Sequence, residues 1–271
     1  MSLDNTTSLK NKQANLYQNL VSLELFKSID TAEYRDKGTI KYKVSEHEAY
    51  LNVDEIFSDM FNSVKRRETM EMFLLNHKSM VLFLVGVIKI RFQSKSSLQH
   101  KINELFEYIN QVLGYYPERE MVIAYKHFLD SKNVKIINKI NKGMKEETLY
   151  KNIENIAWDF TVPRIMKFFL EHIGEGRYFI PFFLSNDKNL RELLRLYNVK
   201  GVLYSKIESK LIPISNPNSR EYFKEYIDNI DSYFTSEAII TRNEKFEYNR
   251  ETEFRAIKVE FSKLVKVMDC K

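Results

Sequence analysis

At 271 residues, with 44% hydrophobic and 13% aromatic side chains, the chain can build a sizeable core, which excludes an intrinsically disordered protein. Lys and Arg number 42 against 37 Asp and Glu; the resulting +5 permits a polyanionic partner but is far from the charge density of a dedicated nucleic-acid coat. The single cysteine, Cys270, excludes a disulfide framework and a thiolate metal cluster, and fits a reducing, cytoplasmic setting.

Taken in chain order, residues 1–7 read as a loose polar tail. Leu16, Leu20, Leu23 and Phe26 then recur at helical spacing, predicting an amphipathic helix to about Ile29, and Arg35-Asp36-Lys37-Gly38 reads as a turn. Residues 39–44 alternate apolar and polar like a half-exposed strand, and 48–53 suggests a second strand ending at Asp54, where a helix begins. The apolar run 80–88 is too short to cross a bilayer and is followed by Lys89 and Arg91, so no membrane partner is expected; the wider run 80–92 fits a buried helix or a strand equally. No secretory signal is read at the N-terminus.

Leu98, Ile102, Leu105, Ile109, Val112 and Leu113 form a helix face closed by Gly114, and Pro117 starts another helix over 118–125. Residues 132–145 are rich in Lys and Asn and read as a basic loop or short helix. Leu149, Ile153, Ile156 and Phe160 make an apolar stripe, continued past Pro163, which is expected to kink or restart the helix. A polar stripe, Asn152, Asn155 and Asp159, runs beside it. Residues 178–184 read as a buried strand ending in the polar turn Ser185-Asn186-Asp187, with a helix from Lys188. Short strands are expected at 199–204 and 211–214, a helix over 218–234, and a strand over 257–261.

Several chemistries drop out. None of the seven glycines falls in a phosphate-binding GxGxxG or GxxxxGK[ST] spacing, no HExxH pairs the five histidines, and no GxSxG elbow is present. Acids remain. Mg²⁺ and Mn²⁺ take oxygen ligands, and a metal site for phosphodiester cleavage needs carboxylates brought together from distant parts of a chain. The candidates are Asp54, Glu120 (or Glu118), Asp159 and Asp187. Each also has a plain structural reading: Asp187 and Asp54 as helix N-caps, Glu120 as a first-turn acid beside the helix dipole, and Trp158 as core.

The segment Ser185-Asn186-Asp187-Lys188-Asn189-Leu190, with the following helix and Val199-Lys200-Gly201-Val202-Leu203, resembles the last acidic motif of PIN-domain nucleases. Ala157-Trp158-Asp159 stands where their third acid lies, Arg119-Glu120-Met121 is similar to the helix bearing their second, and 49–54 is similar to their first strand. Asp54-Glu55-Ile56 replaces that family's Asp-Thr-Asn. The resemblance is best over 150–204. It implies a three-layer PIN-like α/β domain over 37–204 with a small, mostly parallel sheet and inserted helices. An N-terminal helix (1–36) would precede it, and a C-terminal α+β appendage (205–271) would follow. It further implies an RNA-cleaving hydrolase, with Asp54, Glu120, Asp159 and Asp187 catalytic. Asp54, Asp159 and Asp187 would hold Mg²⁺ or Mn²⁺, and Lys188, Arg191 and Arg195 would grip RNA. The expected partners are RNA and either a protein antitoxin or a second copy of the chain. The alternative is a non-catalytic α/β protein that binds nucleic acid or protein and carries a degenerate acidic site.

Overall fold

The first helices are bounded by caps that their own side chains supply. In the computed structural model, which describes residues 3–93, 97–171, 185–196, 199–205, 210–215 and 219–269, α1 spans Leu3–Lys27. Asp30 caps α2 (Thr31–Lys37) by accepting from the Ala32 and Glu33 amides, and Gly38 closes it. A capping box starts α3 (Glu46–Asn62): Ser45 Oγ accepts from the Glu48 amide while the Glu48 carboxylate accepts from the Ser45 amide.

That box overturns the strand expected over 48–53. Ala49 and Val53 are one helical turn apart and fully buried, packing with Val21 of α1, so the period that matters there is helical. Residues 39–44 likewise form no ladder; they contribute one isolated bridge, Ile29 to Tyr42. The chain divides into two units, residues 1–72 and 73–271, and α1, α2 and α3 belong to the first.

Helix α4 (Val64–Gln93) carries the ambiguous apolar run, and from Ser79 to Ile88 every residue is buried. A helix apolar on all sides has no solvent face and must be enclosed. It is long and apolar enough to cross a membrane, yet most of its apolar stretch is buried inside the protein. It shares one apolar core with residues of α5 (Leu98–Tyr108), α6 (Glu118–Leu129), α7 (Glu146–Glu171), α10 (Ser236–Glu251) and α11 (Ala256–Met268). Between α7 and α10 lie α8 (Lys188–Leu196), a hairpin β1 (Val199–Ser205) and β2 (Lys210–Ser215), and the short α9 (Ser219–Phe223).

The expected strand over 257–261 is the start of α11, where Glu260 and Phe261 are buried and Leu264 follows one turn on. The helix expected over 218–234 is broken into α9 and a 3-10 turn at Ile230–Phe234. Gly114 ends α5 as expected, after a π-helical turn at Ile109–Leu113. Glycine is required there twice over: its φ is 87°, and a Cβ would lie 2.4 Å from the Phe246 backbone nitrogen of α10. Asn249 of α10 donates to the Val112 and Leu113 carbonyls that the turn leaves open.

The three-layer, mostly parallel PIN-like sheet is therefore contradicted. Among the described residues the sheet consists of β1 and β2 alone, and they pair antiparallel, with Leu203 opposite Ile212. An antiparallel hairpin offers no strand carboxyl ends facing a common crevice, so the geometry that made a strand-end acid chemically interesting is missing. The strand expected over 178–184 lies outside the described residues.

One prediction concerns the tightest contact on α4. The Tyr108 ring lies over Gly86 and its hydroxyl donates to the Leu82 carbonyl at 2.8 Å. A Cβ at Gly86 would stand 2.3 Å from that ring. Gly86→Ala is expected to lower stability by ~1–3 kcal/mol through overpacking, measured by urea denaturation; an unchanged midpoint would show that the ring moves freely.

Candidate site at the α7–α8 corner

Two amphipathic segments turn their basic sides outward at this corner. The turn Ser131–Asn133 is capped by Asp130, which accepts from the Lys132 amide, and Asn138 donates to the Ser131 carbonyl at 2.8 Å. The 3-10 segment Lys135–Lys139 buries Ile136 and Ile137, with Val134 and Ile140 beside them, and leaves Lys132, Lys135 and Lys139 exposed. On α8, Leu190 and Leu193 are buried one turn apart, while Lys188, Arg191 and Arg195 lie exposed on the other face. The two segments pack together and against α7. Lys135 reaches Glu192 at 3.4 Å, so the basic stretches 132–139 and 188–195 adjoin in space.

Asp159 of α7 and Asp187 at the start of α8 meet here. Burial pushes the Asp159 carboxyl up to about 6; Lys139 opposes that rise and the charge of Asp187 adds to it. Asp187 moves the other way. Its Oδ1 accepts from the Leu190 amide at 3.2 Å and the Asn189 amide at 2.7 Å, and these bonds, with Lys139 and Arg191, hold it below the usual carboxylate range. Asp187 is thus the N-cap that its sequence position allows, and one of its oxygens is engaged in capping. Pro163 lies within α7 without ending it. Lacking an amide hydrogen, it cannot bond the Asp159 carbonyl one turn back, which leaves a second oxygen of Asp159 outside the helical ladder.

The other candidate acids lie elsewhere. Glu120, 2% exposed, takes a two-point salt bridge from Arg164, Nε to Oε1 at 3.0 Å and Nη2 to Oε2 at 2.9 Å, clamping α6 to α7. The alternative, Glu118, accepts from the Ser219 hydroxyl at 3.2 Å at the start of α9. Asp54 is neither at a strand end nor a cap. It sits exposed within α3, in the first unit, and accepts from the Tyr17 hydroxyl at 2.7 Å. That bond above all pushes the Tyr17 phenol up to about 12. Among the described residues no group of three or more His, Cys, Asp or Glu is placed to share a metal ion.

Sequence reasoning missed a cleft of about 470 Å³ lined by α4, α7 and the α10–α11 junction. Its floor is apolar, from Val81, Phe254 and Phe261, and its polar rim includes His77, Lys78, Glu154, Glu253 and Lys258. His77 stacks on Trp158 with ring centroids 4.1 Å apart; Trp158, expected in the core, is 41% exposed. The His77 Nε2 lies 3.1 Å from the Glu154 carbonyl, so this nitrogen carries the hydrogen and Nδ1 keeps the lone pair. Burial lowers the His77 pKa, keeping the ring neutral at neutral pH. Glu253 and Phe254, both at positive φ, form the bend beside it. A His and a Trp spaced 81 positions apart carry no sequence signal that they stack.

Two outcomes test this geometry. Glu120→Ala removes the carboxylate that clamps Arg164 and is expected to cost ~3–5 kcal/mol, read by thermal and urea unfolding; a near-neutral result would show that this pair does not hold α6 to α7. Asp159 acts with the opposite sign. Its folded pKa lies above its ordinary 3.8, so its stability contribution is greatest below the unfolded value and is lost as pH rises through about 6. Asp159→Asn should therefore be more stable than the native chain at neutral pH, and the advantage should vanish in acid below the ordinary carboxylate range. An equal shift at both pH values would mean that burial is not what raises this group. Compared with protein-family models, with curated proteins and with solved structures, the chain matches none of them.

Proposed function

We propose that the protein binds single-stranded RNA across the face formed by α8 and the 3-10 segments of 131–139. The observation that carries this is the meeting of two basic stretches, 132–139 and 188–195, each held with its apolar side inward and its cations exposed. Six exposed cations, Lys132, Lys135, Lys139, Lys188, Arg191 and Arg195, are answered at this face by Asp159, Asp187 and Glu192. Cations at three- and four-residue spacing neutralise successive phosphates and release their counterions, which makes such binding strong at low salt and weak at high salt.

A second reading is favoured by one further observation, the raised pKa of Asp159 beside Asp187. Groups with displaced pKa values that face one another suit acid–base or metal-assisted work. Under this reading Asp159 and the uncapped oxygen of Asp187 would hold Mg²⁺ or Mn²⁺, and the ion would supply an activated water for RNA hydrolysis. The fit is partial. Two carboxylates suffice for such an ion when waters and substrate phosphates complete its shell, but Lys139 competes for the same charge.

Fluorescence anisotropy with a labelled single-stranded RNA tests the first reading. Binding should weaken steeply with salt. The triple charge reversal Lys188→Glu, Arg191→Glu, Arg195→Glu should flatten the log–log salt slope by about 2 and weaken binding at least tenfold. Salt-independent binding, or unchanged affinity in the variant, would remove the proposal. Cleavage of the same RNA with Mn²⁺ that disappears in Asp159→Asn supports the second reading, and equal cleavage by both proteins rejects it.

A further inference from the structure

The cleft between α4, α7 and the α10–α11 junction lies wholly within the second unit, and the residues around it leave one charge of each sign unanswered. Lysines 78 and 258 and glutamates 154 and 253 stand on its rim. Lys78 and Glu253 approach each other at 3.9 Å, a long pair whose acid is largely in solvent. Lys258, exposed, and Glu154, half-buried, make no ion pair among the described residues, with each other or with any other group. A further acceptor is His77. Its Nε2 is taken by the Glu154 carbonyl, and its Nδ1 lone pair meets no donor among the described residues.

The floor is apolar. Val81, Phe254 and Phe261 are buried there, and Leu74 and Ile257 extend the lining. Phe254 reaches it from a bend in which two successive residues are left-handed, Glu253 at φ 49° and Phe254 at φ 59°, a conformation that residues other than glycine hold only under constraint. Such strain gathers at ligand clamps. The Tyr150 and Phe261 rings pack edge to face with centroids 5.0 Å apart. Burial and the neighbouring Glu154 carboxylate hold the Tyr150 phenol above its ordinary range, so an aromatic ring and an unpaired acid stand side by side.

A cleft of about 470 Å³ has the size of a small-molecule site, in which the apolar lining supplies affinity and a few polar groups fix orientation. A purely apolar ligand would strip water from Lys258 and Glu154 and return nothing. A carboxylate alone answers only Lys258, and an amine alone answers only Glu154 and His77. A zwitterion answers both ends: its ammonium donates to Glu154 and to His77 Nδ1 beside the Tyr150 ring, and its carboxylate accepts from Lys258. We infer that this cleft binds a free amino acid with a large apolar side chain, the side chain on the floor of Val81, Phe254 and Phe261 and the charged groups between Glu154 and Lys258.

Trp158 is the chain's single tryptophan and stacks on His77, so its emission reports on the cleft. The probe is L-phenylalanine, added to the full chain, with titration calorimetry as a second readout. The expected result is a saturable change in emission matched by saturable heat. Phenethylamine, which lacks the carboxylate, and hydrocinnamate, which lacks the ammonium, should each bind about tenfold to a hundredfold more weakly. Glycine, which lacks the apolar side chain, should not compete. Lys258→Met and Glu154→Gln, at positions that solvent reaches, should weaken phenylalanine binding by a similar factor, whereas Lys258→Arg, which keeps the charge, should retain it. No saturable response by either readout overturns the inference. Equal binding of phenethylamine or hydrocinnamate removes the zwitterion, and unchanged affinity in Lys258→Met or Glu154→Gln places the ligand elsewhere; each of these results overturns it too.

Discussion

Helix α4 cannot be solvated on any side between Ser79 and Ile88, and the second unit is arranged to meet that demand. Once a helix is apolar around its whole circumference, several neighbours must each commit an apolar face to it. Polar atoms brought into that core arrive with partners. Tyr108 donates to the Leu82 carbonyl, Ser79 to the Asn76 carbonyl, and Lys89 at the helix end pairs at 2.5 Å with Glu260 of α11. Burial alone would push the Glu260 carboxyl up; hydrogen bonds from Lys263 and Lys89 more than offset this and hold it low. Satisfying the α4 surface falls to helices: side chains of α5, α7 and α11 reach it, and among the described residues the only sheet is the β1–β2 hairpin.

The same demand disperses the acids. Glu120 and Asp159 lie on helices that both contribute to the core, but their positions differ in consequence. Glu120 lies on the inner side of α6, where an ionised carboxylate persists only with a fixed counter-charge, and Arg164 supplies it. Asp159 lies at the edge of α7, where burial is partial and the nearest opposite charge, Lys139, does not fully offset it. One acid is thereby consumed in holding helices together. The other keeps an environment in which its protonation responds to pH, next to a surface that carries exposed cations.

Not every buried polar atom of the second unit finds a partner. Among the described residues, Arg91, Glu104 and His127 hold such atoms on α4, α5 and α6, and Asn138 and Asn249 hold them elsewhere. The π-helical turn after α5 behaves oppositely: its open carbonyls at Val112 and Leu113 are met by Asn249, and Arg242 reaches Asn110 and the Tyr233 carbonyl. These bonds tie the irregular turn to α10, while the Asn249 Oδ1 on the other side of the same amide is left without a partner.

What was legible in the sequence was local. Helical spacing over 98–113, the stop at Gly114, the start at Pro117 and the Asp187 cap follow from backbone preferences of a few residues, and each stands in the structure. The two short strands after residue 199 were legible as well, but not that they form an antiparallel hairpin rather than part of a parallel sheet. Residues 48–53 and 257–261 show why the rest was hidden. A segment of five or six residues fits either period, and only the partners that bury Ala49, Val53 and Phe261 decide between them. The sequence by itself determined several helix boundaries, caps and basic segments, because these depend on neighbours along the chain, while the α/β fold expected from it was wrong. Tertiary structure alone decided that Glu120 would be spent on Arg164 and that Asp159 would meet Asp187 and Lys139. Those pairings depend on which helices enclose α4, and sequence separation says nothing about that.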